Sequence, residues 1–299
     1  MEWNSPWEDP LMSYVKQFDG LIGDQRTSKT FGETIKGIIA AGSLICQQIA
    51  EHSAELSKGK KGSQRVIRLA TGESTQRSEL DAEHLTKRLR EVAVEQLAQA
   101  PEEELWLIAE SSDLRKPYAE VMEYLMPVRD LDEQLVPGYR TLNVIRLTPG
   151  RRGLLYHRLF SSHAPDFVSE PAEVQQALST VSQALTPLKA HKTVTWLLDS
   201  GFDDIAVWRT IWEQHEHVVS RIYHTDRTVA FQDRQGQWQG KLVSRDVWLV
   251  EVRVLGVDWE PWLLLTDWPV TDAPSAVRIF TKYRRRWSVE DSFKFLKPA

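Results

Sequence analysis

The chain has 299 residues, 41% hydrophobic and 26% charged, enough to bury a real core and to form one to three domains. No apolar run approaches the roughly 20 residues that cross a bilayer, and MEWNSPWEDP lacks a basic-then-apolar leader. The lone Cys46 excludes an internal disulfide and a cysteine-based zinc site, and the net charge of −5 gives no overall attraction for a polyanion, so a cytoplasmic, soluble protein is the expectation.

Residues 1–100 read as helical. FGETIKGIIAAGSLICQQIAEHSAEL carries Ile35, Ile38, Ile39, Ile45 and Ile49 at near-helical spacing, with a turn possible at Gly42-Ser43 and Cys46 as a small apolar filler. SKGKKGSQ reads as a loop and opens a basic run of Lys58, Lys60, Lys61, Arg65 and Arg68; a helix is expected from about Leu80 to Ala98. From residue 104 the texture changes. ELWLIAE predicts a short strand ending at Glu110, and GYRTLNVIRLTPGRRGLLYHRLFS two strands around Pro149-Gly150. A helix to about Pro187 follows, then a buried-type strand ending at Asp199, a helix over DDIAVWRTIWEQH and a strand over HVVSRIYH. Residues 227–268 alternate polar and apolar and predict a β-rich insertion, and a last helix begins near Ala273. This order predicts a mixed α/β sheet with helices on its faces, and acids at strand ends are where such sheets build sites.

The chain closes on YRRRWSVEDSFKFLK. On an α-helix turning about 100° per residue, Tyr283, Arg286, Glu290, Lys294 and Lys297 share one stripe, bordered by Trp287 and Phe293. An ordinary solvated face with i,i+4 ion pairs would give the same charges, but two large aromatics beside it are unusual there. Carboxylates that hold divalent metals, cations for phosphates and an aromatic near a strand end are what phosphodiester chemistry uses.

Tyr283-x2-Arg286-x3-Glu290-x6-Lys297 resembles the YREK signature of the DDE transposases of the insertion-sequence-four family. WLLDSGFDD, residues 196–204, is similar to that family's second-aspartate segment, and SSDLRKPYAE, residues 111–120, to the segment after its first. The resemblance covers roughly residues 104–297. It implies a ribonuclease-H-like catalytic domain over 101–226 and 269–299, a β-rich insertion over 227–268 and a helical DNA-end-binding region over 1–100. It also implies metal-dependent DNA cleavage and strand transfer in cut-and-paste transposition, with Glu110, Asp199 and Glu290 as catalytic acids holding two Mg2+ (or Mn2+) ions. Tyr283, Arg286, Lys294 and Lys297 would contact DNA. The partners implied are transposon terminal inverted repeats, target DNA and a second copy of the chain, in a bacterial cytoplasm and at the nucleoid when bound to DNA.

Two departures stand out. The family places aspartate where this chain has Glu110; Glu110 is the positional ligand, with Asp113 as the alternative. Family chains also run on past the signature lysine, and only two residues follow Lys297. A shortened, weakened transposase is therefore one expectation, and a non-catalytic DNA-binding remnant the other. Trp238, Trp248, Trp259, Trp262 and Trp268 suit either β-subdomain packing or a base-holding pocket. His215-Glu216-His217 reads as a helix end, not a ligand set, and no phosphate-binding GxxxxGK[ST] loop is present.

Overall fold

The computed structural model describes residues 8–53, 55–72, 80–130, 132–148, 151–223, 231–232, 238–239, 245–253, 255–256 and 258–289. They fall into two compact units that divide between Val92 and Ala93. No helix among them is long and apolar enough to cross a membrane.

The first unit is helical: α1 (Glu8–Lys16), α2 (Gln25–Ala41), α3 (Cys46–Glu51) and α4 (Gly59–Thr71), with α5 (Ala82–Gln99) running across the division. Asp24 caps α2 by accepting from Thr27 N at 2.8 Å, and Gly42 ends it in the left-handed region at φ 59°, where glycine carries no Cβ penalty. The buried side of α2 is not the expected isoleucine stripe. It is Thr27, Thr30, Thr34 and Gly37, with Glu33 accepting from Ser53 Oγ, whereas Ile39 is exposed. Ile49, Ala50, Leu56 and Val66 form a small core, with Cys46 half-buried against it. The SKGKKGSQ stretch, expected to be a loop, opens α4. Its lysines point outward while Gly62 and Val66 face inward.

The second unit is built on an eight-stranded mixed sheet in the order β2-β3-β1-β5-β6-β10-β9, with β4 paired to β3. The strands are β1 (Glu104–Arg115), β2 (Met126–Arg129), β3 (Leu135–Thr148), β4 (Arg151–Phe160), β5 (Thr193–Leu198), β6 (His217–Ile222), β9 (Trp248–Val252) and β10 (Trp262–Thr266). Short β7 (Phe231–Gln232) and β8 (Trp238–Gln239) pair separately. Strands β1, β3 and β4 are antiparallel neighbours, while β1, β5 and β6 run parallel, with α6 (Glu170–Ala184) leading from β4 into β5 and α7 (Ile205–Glu213) joining β5 to β6. Residues Leu105–Ala109 are all buried, because a central strand covered on both faces needs an unbroken apolar run. Leu105, Leu107 and Ala109 pack in one core with Ala93 and Leu97 of α5, Leu178 and Val181 of α6, and Trp208 and Ile211 of α7. Trp106 and Ile108 face the other side, where α8 (Ala273–Arg284) sets Lys282 Nζ 4.9 Å from the Trp106 ring centre. Helices thus cover both faces. Part of the expected insertion joins this sheet, since β10 pairs antiparallel with both β6 and β9.

Candidate functional site: an acid pair closed by an arginine

Strand β1 does not stop at Glu110, as the sequence predicts; it runs on to Arg115. Side chains alternate along it, so Glu110 lies on the Trp106–Ile108 face and Asp113, three residues on, lies on the other. Asp113 is already committed there, accepting from Arg129 N and from Arg140 Nε. Only Glu110 faces the second acid. Ile108 pairs with Leu197 across the parallel β1–β5 ladder, so two residues further along, Glu110 and Asp199 come level on neighbouring strands. Asp199 caps the 3-10 turn Ser200–Phe202 by accepting Gly201 N on Oδ1 at 2.8 Å. A Cβ at Gly201 would sit 3.1 Å from that oxygen, so a residue without one lets the carboxylate turn back over its own backbone.

The third component comes from the end of α8. Asp272 and Ser275 start this helix with a reciprocal cap, and it stops at Arg284, where a 3-10 turn over Arg285–Val289 takes over. The single α-helical stripe expected from Tyr283 onward is therefore broken at Arg285. Tyr283 and Arg286 point inward and are 2% and 7% exposed. Arg286 Nη1 lies 2.5 Å from Glu110 Oε2 and 3.9 Å from Asp199 Oδ2. Both carboxylates thus lie within 4 Å of one nitrogen. Burial works against the charged guanidinium, but Glu110 first, then Tyr283 and Asp199, outweigh it and hold its pKa above the ordinary arginine value. Burial likewise pushes the Tyr283 hydroxyl up, with Arg286 opposing. The guanidinium lies 5.9 Å from the Tyr283 ring centre, and the two side chains interact directly, while Arg286 Nε is buried without a partner and the Tyr283 hydroxyl without an acceptor among the described residues.

Trp287 sits edge-on to Trp262 with centroids 4.7 Å apart, and the Arg221 guanidinium covers the Trp262 ring at 5.1 Å. Trp287 is 41% exposed, so part of its ring remains open to solvent. Trp268 is packing instead: it stacks on His217 and donates to Thr195 Oγ1. His215, Glu216 and His217 form no ligand set. Glu216 accepts from Ser182 Oγ and Trp196 Nε1 inside the fold, and His217 pairs with Asp267. Glu290, Lys294 and Lys297 lie outside the described residues, and among those described no three His, Cys, Asp or Glu side chains form a group that could hold a metal ion.

The donors present do suit a hard divalent cation. Two carboxylates level on adjacent strands offer oxygen ligands, and the guanidinium between them already takes the place of a cation. Sequence reasoning missed the Arg286–Glu110 contact, because nothing local links residues 176 positions apart.

A mixed sheet with β3 and β4 antiparallel on one side of β1, β5 and β6 parallel on the other, and Glu110 within β1 level with Asp199 just past the end of β5, has a ribonuclease-H-like fold. The chain aligns with a piggyBac transposase in a synaptic complex with hairpin DNA at TM-score 0.50 and 10% identity, covering 92% of this chain and 60% of that one. Mos1 transposase in a paired-end complex with a left transposon end aligns at TM-score 0.24 and 17% identity, covering 62% and 56%. A Mos1 mariner paired-end complex with Mn aligns at 0.24 and 16%, covering 73% and 60%. The likeness to piggyBac is one of fold, and the chain spans less than two thirds of that protein's length. No family model matches the sequence, and no curated protein matches it.

Proposed function

We propose that the chain is a DDE-type DNA transposase of the YREK-bearing insertion-sequence-four kind, carrying out metal-dependent DNA cleavage and strand transfer in cut-and-paste transposition. The observation that supports this most is the convergence of Glu110, Asp199 and Arg286 from three separate segments onto one point of a ribonuclease-H-like sheet. In this reading Glu110 and Asp199, joined by Glu290, hold Mg2+ or Mn2+, which when bound supplies an activated attacking oxygen and stabilises the leaving one. Arg286 and Tyr283 bring donors to a DNA phosphate, and Lys294 and Lys297 add positive charge along the same segment. The exposed part of the Trp287 ring is available to stack on a base near the cut end. The helical region, 1–100, binds the transposon ends, the partner DNAs are terminal inverted repeats and target, and the active form is a homodimer on DNA.

A second reading, a DNA-binding remnant that does not cut, is favoured by one feature. The first acid is a glutamate already ion-paired to Arg286, its arm one C–C bond longer than that of an aspartate. Metal dependence separates the two. A cleavage and strand-transfer assay with Mg2+ or Mn2+, on duplexes carrying terminal sequences taken from the DNA on either side of the gene, is expected to give nicked and joined products. Asp199→Ala is expected to lower that rate by more than about 100-fold while DNA binding persists, because a metal ligand matters more than the outer groups that orient it. Binding that is equal in EDTA, with no cleavage by the parent chain, would leave the remnant as the answer.

A further inference from the structure

Arg286 stands where the proposed function needs a metal. Its side chain is 8% exposed, and a guanidinium that deep requires a counter-charge, which Glu110 supplies at 2.5 Å with Asp199 behind it at 3.9 Å. The pairing is incomplete from the arginine's side. Arginine carries five donors in a planar fork suited to oxyanions, yet Nε is buried with no partner among the described residues, and the Tyr283 hydroxyl, whose side chain lies against the same guanidinium, finds no acceptor for its proton there. Buried donors left idle in this way are costly, and an arriving group with several acceptor oxygens would satisfy both. A phosphodiester has such oxygens.

Glu110, for its part, cannot serve a guanidinium and a divalent cation equally well. Two carboxylates beside one arginine carry a net charge of about −1, and without the arginine about −2, so the resident guanidinium weakens the pull on any second cation.

We propose that Arg286 is a placeholder cation that makes metal binding conditional on DNA. Without DNA it positions Glu110 and Asp199 and keeps their metal affinity low. A DNA phosphate takes over the guanidinium through Nε and the Tyr283 hydroxyl, and Glu110 is then released to bind Mg2+ or Mn2+. The inference rests on the acid pair being the metal site of the proposed transposase. Its consequence is an order of events, DNA first and metal second, which prevents cutting chemistry on an unengaged protein.

The test is Mn2+ binding to the full chain, read by electron paramagnetic resonance, with and without duplex DNA carrying the sequences that adjoin the gene. The parent chain alone is expected to bind Mn2+ weakly, and the duplex to tighten it by about tenfold or more. Arg286→Gln is expected to reach similar affinity without DNA and to gain little from adding it, while Arg286→Lys, which keeps the charge, stays near the parent. A residue that only oriented Glu110 would have the opposite sign, since its loss would weaken metal binding. Thermal melting confirms that each variant is folded, and the DNA arm on the parent chain needs no variant at all. Tight Mn2+ binding by the parent alone, or Arg286→Gln binding no tighter than the parent, overturns the placeholder role. Asp199→Asn keeps that result apart from the functional reading. If this substitution leaves Mn2+ binding unchanged, the acid pair is not the metal site and both ideas fall. If it abolishes binding while Arg286→Gln has no effect, only the placeholder falls.

Discussion

Glu216 illustrates how this fold handles a charge it cannot expose. Its side chain is 2% exposed, and it accepts from Trp196 Nε1 and Ser182 Oγ, each at 2.6 Å, with Lys189 Nζ at 2.7 Å. Removing it would strand an indole N–H in the core and leave Lys189 without its counter-charge, held only by Ser182 Oγ and the Gln214 carbonyl among the described residues. Glu216→Ala is therefore expected to cost about 3–5 kcal/mol in urea unfolding, the range for breaking a buried pair from one side. Glu173 behaves differently. It is 5% exposed, and burial raises its pKa, with Arg158 at 2.7 Å pulling the other way. A carboxyl whose folded pKa lies above its unfolded value binds a proton more readily when folded, so stability falls as pH rises from the unfolded pKa through the folded one. Glu173→Gln removes that loss. Its stability relative to the parent is expected to improve between about pH 4 and about pH 7, checked by denaturant unfolding at both, and a flat difference would mean that Arg158 fully offsets the burial.

At the scale of elements, α4 depends on close approach. A Cβ at Gly62 would overlap the carbonyl oxygen of Ser57 and crowd the Ala50 side chain. Gly62→Ala, normally helpful in a helix interior, is here expected to destabilise by about 1–3 kcal/mol, visible as a lower thermal midpoint of the helical signal. This helix was hidden in the sequence, because its opening turn is lysine and glycine with no apolar period, and tertiary packing decides it. Strands β1 and β5 were legible, since Leu105–Ala109 is an unbroken apolar run and Val194–Leu198 one interrupted only by the buried Thr195, as a strand covered on both faces requires. Glu110 and Asp199 were legible with them, as acids at the ends of such runs. The β10 pairing with β6 was not, because Val219 meets Thr266 only through non-local ladder bonds. Nor was the switch to a 3-10 turn after Arg284, which turns Arg286 inward instead of leaving it on a solvent-facing stripe.

At the scale of the whole molecule, charge is segregated in a way that the net value of −5 conceals. In the second unit the central acids are matched by Arg286, whereas in the first unit Lys60, Lys61 and Arg68 stand exposed along α4, and Arg65 is half-buried. If the helical unit holds transposon ends as proposed, these cations release counterions from DNA on binding, and each phosphate contact contributes about 0.9 to the slope of log affinity against log salt. Lys60, Lys61 and Arg68 changed together to Ala in the full chain should therefore reduce that slope by up to about 2.7, and weaken binding at low salt more than at high salt. The variant should keep the parent's thermal midpoint, because exposed side chains of this kind add little to stability. The measurement is a salt series of anisotropy titrations with a labelled duplex. An unchanged slope would place the DNA-gripping surface elsewhere than α4. A reduced slope together with Mn2+ affinity that still responds to DNA would separate gripping by the first unit from the exchange at Arg286 in the second, and would assign the two steps to different parts of the chain.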